Sequence, residues 1–129
     1  MSNKLPTIGF LGSGAITTAM VTGFCERAGD TPYPLIVSDM KEEACETLAQ
    51  KFPGRVTAAK SLQECVDKSD WIVIAVWPQA GEQVIRSLTF RPGHKIINVM
   101  LDKTVEEIKT WMNCEAEAML HMIPGTFLS

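Results

Sequence analysis

The sequence lacks the features of a membrane, secreted, metal-binding or nucleic-acid-binding protein. No apolar run in its 129 residues is long enough to cross a bilayer, and the opening stretch from Met1 to Pro6 has no apolar centre of the kind a secretion signal needs. The net charge of −3 offers no basic surface for a polynucleotide or an anionic bilayer. There are only two histidines, His94 and His121, too far apart to suggest a metal site on their own. Four cysteines (Cys25, Cys45, Cys65, Cys114) stand apart with no Cys-x-x-Cys pair, so neither zinc nor a disulfide framework is expected. Cys25, Cys45 and Cys65 fall within helical patterns, where a thiol packs as a small apolar group. These absences predict a cytoplasmic chain with no metal, nucleic-acid or membrane partner. No Ser-His-Asp set or carboxylate pair can be assembled from spacing, so the sequence designates no catalytic residue.

What the sequence does contain is apolar and regularly arranged. Hydrophobic residues make up 46% of it, enough for one compact domain with a real core over 1–129. Near its start, an apolar run reaches Gly12-Ser13-Gly14 and passes at once into a helical pattern carrying Met20, Val21 and Phe24. That context makes a Gly-x-Gly pair informative. Gly12 suits a tight strand-to-helix turn, and Gly14, having no Cβ, lets backbone approach a pyrophosphate at the helix N-terminus. The third fingerprint position is Thr17, where Gly or Ala is usual.

The remainder alternates. A helix is predicted from Ala15 to Ala28, closed by Gly29-Asp30 and a proline-bearing loop, then a strand at Leu35-Ile36-Val37 ending at Ser38-Asp39. A helix from Lys41 to Lys51 and a weaker strand from Val56 to Ala58 follow. Ser61-Leu62-Gln63-Glu64 has capping-box spacing and opens a helix towards Lys68. The run from Trp71 to Val76 is the strongest strand signal; Pro78 then suits the first turn of a helix reaching about Leu88. A turn at Arg91-Pro92-Gly93-His94 leads to a strand from Lys95 to Val99. Thr104 to Glu107 forms a second capping box, opening a helix to about Met112, and a last strand is expected around Ala116 to Met122. Uniformly apolar strands alternating with helices predict an α/β fold: a Rossmann-type, doubly wound parallel sheet with helices on both faces. The strand order 3-2-1-4-5-6 fits best.

Ligands of such sheets sit beyond the carboxyl ends of the strands. The candidate cofactor-binding residues are therefore Gly12, Ser13, Gly14, Ala15, Ile16, Ser38, Asp39, Val76, Trp77, Pro78 and Asn98. Asp39 admits two readings, as an acceptor for adenine-ribose hydroxyls or as a turn or cap residue before the next helix. Trp77 could stack on a cofactor or simply pack. His121 could be a general acid or could satisfy a backbone group.

The same residues carry a family likeness. The run from Ile8 to Ala19, with Gly12, Gly14 and Ala19, resembles the opening of pyrroline-5-carboxylate reductases. Val76-Trp77-Pro78-Gln79 resembles their Val-Lys-Pro-Gln, Asp70 their Asp before that strand, and Ile123-Pro124-Gly125-Thr126-Phe127 their Met-Pro-Asn-Thr-Pro region. The resemblance implies an NAD(P)-binding domain of a reductase that transfers hydride to an imine carbon in proline formation. It also implies a second, helical domain, absent from these residues, that dimerises and supplies much of the substrate pocket. The chain departs from the family at Ala15 (usually Asn), Thr17 (Ala), Trp77 (Lys) and His121 (Arg). Ser38-Asp39-Met40 replaces a Ser-Asn-Arg that holds the 2′-phosphate of NADP, and Met100-Leu101-Asp102-Lys103 replaces an Ala-Gly-bearing turn. The cofactor is accordingly NADP or NAD. Apolar Ile123, Phe127 and Leu128 suggest a homodimer or chain exchange. A non-enzymatic nucleotide-binding or interaction module, or the cofactor domain of a prephenate- or β-hydroxyacid-type dehydrogenase, are the other readings.

Overall fold

In the computed structural model, which describes residues 5–27, 33–39, 41–100, 103–112 and 118–121, six short apolar runs become strands of one sheet. In chain order the elements are β1 Ile8–Leu11, α1 Ala15–Arg27, β2 Leu35–Ser38, α2 Glu42–Lys51, β3 Val56–Ala58, α3 Leu62–Lys68, β4 Trp71–Ile74, α4 Pro78–Arg86, β5 Lys95–Asn98, α5 Val105–Trp111 and β6 Ala118–His121. The sheet order is β3-β2-β1-β4-β5-β6, and every pairing is parallel. This is the predicted Rossmann-type order. The order reverses between β1 and β4, which places a switch point beside the glycine turn.

Side-chain alternation on the strands divides the core in two. Ile8 and Phe10 of β1, Leu35 and Val37 of β2 and Val73 of β4 pack with Val21 of α1 and Cys45 and Leu48 of α2. Their neighbours Leu11, Ile36, Ile72 and Ile74 point the other way, against Cys65 and Val66 of α3, Ile85 of α4 and Ile108 and Trp111 of α5. Each fully buried side chain of this kind stabilises the fold by roughly 1.5–3 kcal/mol. A strand apolar on both faces is therefore the expected consequence of helices on both sides. Cys65 is fully buried, and burial pushes its thiol up from the ordinary range, so it acts as core rather than as a nucleophile. Among the described residues no disulfide forms at Cys25, Cys45 or Cys65; Cys114 lies outside them.

Several ends differ from the sequence expectation, each for a local reason. β4 stops at Ile74 rather than Val76 because its neighbour β1 turns away at Gly12; one further bond, Ala75 N–H to the Leu11 carbonyl at 2.8 Å, ends the pairing. β5 stops at Asn98 rather than Val99, and α4 at Arg86 rather than Leu88, where the Ser87 hydroxyl donates to the Val84 carbonyl. Lys41 precedes α2 as its N-cap, without a side-chain bond. Thr104 and Glu107 form a complete capping box. At α3 only half of the box forms. The Ser61 hydroxyl accepts from Glu64 N–H, but the Glu64 carboxylate reaches one residue further back, to Lys60 N–H at 2.7 Å. The expected end of the first helix at Ala28, the Gly29-Asp30 turn and the apolar residues Ile123, Phe127 and Leu128 lie outside the described residues.

Asp70 and His94 organise the opposite, amino-terminal edge of the sheet. The Asp70 carboxylate accepts the Thr7 N–H at 2.9 Å, tying the entry of β1 to that of β4. His94 is buried before β5; its Nδ1 accepts the Arg91 N–H at 3.1 Å, so Nε2 carries the proton given to the Val66 carbonyl at 3.0 Å. Burial, followed by the nearby Arg91 charge, holds the imidazole below its ordinary range and keeps it neutral.

Candidate functional site

The glycine turn is held by specific contacts on three sides. Gly12 has φ +106°, and a Cβ there would lie 2.5 Å from the Ala75 carbonyl oxygen, so both its backbone conformation and its close approach to β4 require glycine. Its N–H donates to the Ser38 carbonyl at 2.8 Å. Its carbonyl accepts the Thr17 hydroxyl at 2.7 Å, with Thr17 wholly buried. This accounts for the departure at the third fingerprint position: the larger residue is accommodated by bonding the turn it packs beneath. Nothing in the sequence pattern had assigned Thr17 that role.

Gly14 is exposed, and a Cβ added there would meet nothing within 4 Å. The first intrahelical bond runs from Thr18 N–H to the Gly14 carbonyl, so the amides of Ala15, Ile16 and Thr17 have no acceptor within the helix. Backbone donors at a helix start, with free space above a glycine, form an anion cradle that a side chain on residue 14 would fill.

At the end of β2, Asp39 and Ser38 have separate tasks. Ser38 is fully buried and its hydroxyl donates to the Phe10 carbonyl at 2.8 Å, so its side chain lies inside the sheet rather than on the crevice where the sequence pattern puts it. The Asp39 carboxylate faces the glycine turn. Its Oδ2 accepts both the N–H (2.8 Å) and the hydroxyl (2.7 Å) of Ser13, and its Oδ1 accepts Lys41 N–H at 3.0 Å. Asp39 is thus not the N-cap of α2, which is Lys41, but its bond to Lys41 N–H is the turn contact that the sequence reading also allowed. A cavity of about 880 Å³ opens beside it, lined by Asp39, Lys41, Thr47, Lys60, Ser61 and Leu88 among others. Two lysines and two carboxylates, Asp39 and Glu43, balance its charge.

The β4–β5 half of the edge is arranged differently. Val76 is half-buried against the α3–α5 core, and Pro78 occupies the first turn of α4. Trp77 stands 80% exposed at the start of α4, so the packing reading of this residue does not hold. Asn98 is wholly buried, its amide donating to the Lys103 carbonyl at 2.7 Å and its oxygen accepting Met100 N–H at 2.9 Å. The side chain proposed as a cofactor contact therefore staples the loop after β5. His121 ends β6, paired with Asn98; its side chain is outside what is described. Among the described residues there is no group of three or more metal-ligating side chains, and no helix long and apolar enough to cross a membrane.

Comparison with known proteins agrees with this architecture. ComE operon protein 4 of Bacillus subtilis (strain 168) is 21% identical over 124 residues, which cover 95% of this chain and 45% of that protein. Among solved structures, 1-pyrroline-5-carboxylate reductase from Streptococcus pyogenes matches with TM-score 0.73 at 24% identity, over 87% of this chain and 40% of that one. A reductive aminase from Aspergillus terreus, solved with NADPH and ethyl-5-oxohexanoate, matches with TM-score 0.68 at 18% identity, over 95% and 43%. The chain thus spans less than half the length of these relatives. The likeness to pyrroline-5-carboxylate reductases drawn from its motifs agrees with these matches. The family model described as NADP oxidoreductase, coenzyme F420-dependent, matches residues 7–102, and the chain belongs to that family.

Proposed function

We propose that this chain is the nicotinamide-dinucleotide-binding unit of a pyrroline-5-carboxylate reductase-like oxidoreductase acting on an imine carbon. One observation carries the reading: the first amides of α1 have no acceptor within the helix, a Cβ on the adjoining Gly14 would meet open space, and the Asp39 carboxylate with its cavity lies beside the same turn. The amides of Ala15 and Ile16 would hold the pyrophosphate. The adenosine end would enter the cavity beyond β2, and the nicotinamide end would run past the switch point towards Trp77. When bound, a reduced nicotinamide supplies the hydride; this chain's residues bind it and orient it. Lys41 and Lys60 offset the repulsion between Asp39 and a 2′-phosphate, so NADPH and NADH are both held with little discrimination. A second, helical unit of the kind the family resemblance implies would complete the substrate wall and mediate dimerisation, and the whole would act in the cytoplasm. Hydride transfer depends on holding the two carbons together, so residues 1–129 alone turn over little or no substrate.

Fluorescence titration with NADH and NADPH tests this, since the exposed Trp77 reports on its own surroundings. Saturable quenching is expected in the parent chain and none in Gly14→Val, whose side chain would occupy the cradle from a Cβ position that meets no protein atom within 4 Å. Equal quenching in both would remove the glycine turn from the site. Oxidation of NADPH with pyrroline-5-carboxylate is expected to be negligible; appreciable turnover would place the catalytic groups within these residues.

A further inference from the structure

We infer that Asp39 is a positioning residue for the phosphate-binding turn, acting through Ser13, and that its carboxylate strengthens rather than weakens the grip on a dinucleotide; this rests on the cofactor reading above. Ser13 is the only residue between the two glycines, and it follows Gly12, whose backbone has φ +106°. The turn is anchored at Gly12 on both its N–H, to the Ser38 carbonyl, and its carbonyl, to Thr17. Beyond Gly12, Thr18 holds the Gly14 carbonyl through its N–H and hydroxyl, both at 3.0 Å, and Asp39 holds Ser13, its Oδ2 accepting both polar groups of that residue at 2.8 and 2.7 Å. Hydrogen bonds to an ionised acceptor are stronger than neutral ones. The carboxylate is itself fixed from the far side by Lys41 N–H at 3.0 Å. The end of β2 therefore sets the orientation of Ser13, and through it the peptide that leads into Gly14 and the α1 amides.

Two effects of the carboxylate oppose one another. Its charge repels a pyrophosphate, but the site is only half-buried, so solvent and salt screen that repulsion. Its hydrogen bonds hold the turn in the bound shape before the ligand arrives, which lowers the ordering cost of binding. The paired short bonds to one residue make the second effect the larger. Repulsion alone predicts that removing the carboxylate raises affinity; positioning predicts that it falls.

The experiment is a double-mutant cycle on NADH affinity in the 129-residue chain, read by calorimetry. Asp39→Ala is expected to weaken binding roughly tenfold, as for loss of charge-assisted hydrogen bonds. Ser13→Ala should weaken it less, because its N–H remains, and should add almost nothing on top of Asp39→Ala. Asp39→Asn, which keeps an acceptor oxygen, should recover part of the loss. Amide exchange at Ser13, followed by NMR without ligand, should accelerate in Asp39→Ala while Val37 in β2 stays protected. NADH binding by Asp39→Ala as tight as or tighter than the parent, losses that multiply across the two sites, or unchanged Ser13 exchange would each overturn the inference. Failure of the parent chain to bind any dinucleotide would instead refute the cofactor reading, and the exchange measurement still decides the Asp39–Ser13 link. If Asp39→Ala does not fold, Asp39→Asn and Ser13→Ala complete the cycle.

Discussion

The two halves of the sheet's carboxyl edge are built on opposite plans. After β1 and β2 the side chains organise backbone: Thr17 and Asp39 bond the glycine turn, and the first amides of α1 have no acceptor within the helix. After β4 and β5 the arrangement is reversed. There the polar residue, Asn98, is buried and fully engaged with its own loop, while the large apolar residue, Trp77, stands in solvent. The first half presents backbone donors at a helix start; the second presents the exposed side chain of Trp77. A binding half can be assembled from one crossover because its donors are backbone. A reacting half needs side chains from several elements, and its completion from outside this chain is part of the function proposed above.

Breaking the first half should have the largest consequence. In Gly12→Val the new side chain meets the Ala75 carbonyl and must adopt φ +106°. Strain and overpacking together should cost about 2–5 kcal/mol of stability. Urea unfolding checks this, and a cost below 1 kcal/mol would show that the turn has another conformation available. Gly14→Val, two residues on, should leave stability nearly unchanged, which separates the shape of the turn from its occupancy.

In the second half, Asn98→Ala should destabilise by roughly 1–3 kcal/mol, because Met100 N–H and the Lys103 carbonyl lose their partner. Its effect on dinucleotide affinity should be smaller than that of Gly14→Val. If affinity instead collapses while the unfolding midpoint holds, Asn98 belongs to the cofactor site after all and the contrast between the halves fails.

The smallest effect should come from His94, which lies at the opposite edge and touches neither half. Its folded pKa is below its unfolded value, so the unfolded chain takes up the proton first. The stability contributed by the neutral ring is complete above the ordinary histidine range and is lost as pH falls through it towards the lowered folded value. Thermal unfolding of the parent chain should therefore fall between pH 7 and pH 5 by more than that of His94→Gln, with NADH affinity at pH 7 unaffected. Parallel pH profiles would show that His94 does not titrate on unfolding.

Much of this was legible in one dimension. Short apolar runs bounded by turn residues, with helical spacing between them, have few ways to bury both strand faces, so sheet order followed from chain order. Pro78, Thr104 with Glu107, and Gly12 carry their local conformations in their chemistry. Strand ends were less legible, because the last pair of a parallel ladder depends on where the neighbour turns, as Gly12 does beside Ala75. The candidate site divides similarly. Gly12 and Gly14 are identifiable by what they lack, and backbone donors at a helix start need no other residue. Whether Ser38, Asp39 and Asn98 face a ligand or the protein was beyond reach, since a hydroxyl, carboxylate or amide takes whichever partner lies nearest.

The sequence by itself thus determined the doubly wound sheet and its first crossover at Gly12-Ser13-Gly14, because hydrophobic periodicity and glycine geometry are local properties. Only the tertiary structure decided that Thr17 bonds Gly12, that Ser38 and Asn98 serve the protein, that Trp77 is bare, and that Asp39 reaches across 26 positions to Ser13. Those outcomes depend on which polar atoms two strands and a helix bring within about 3 Å of one another, and hydrogen bonding falls off too steeply with distance to be read from spacing along the chain.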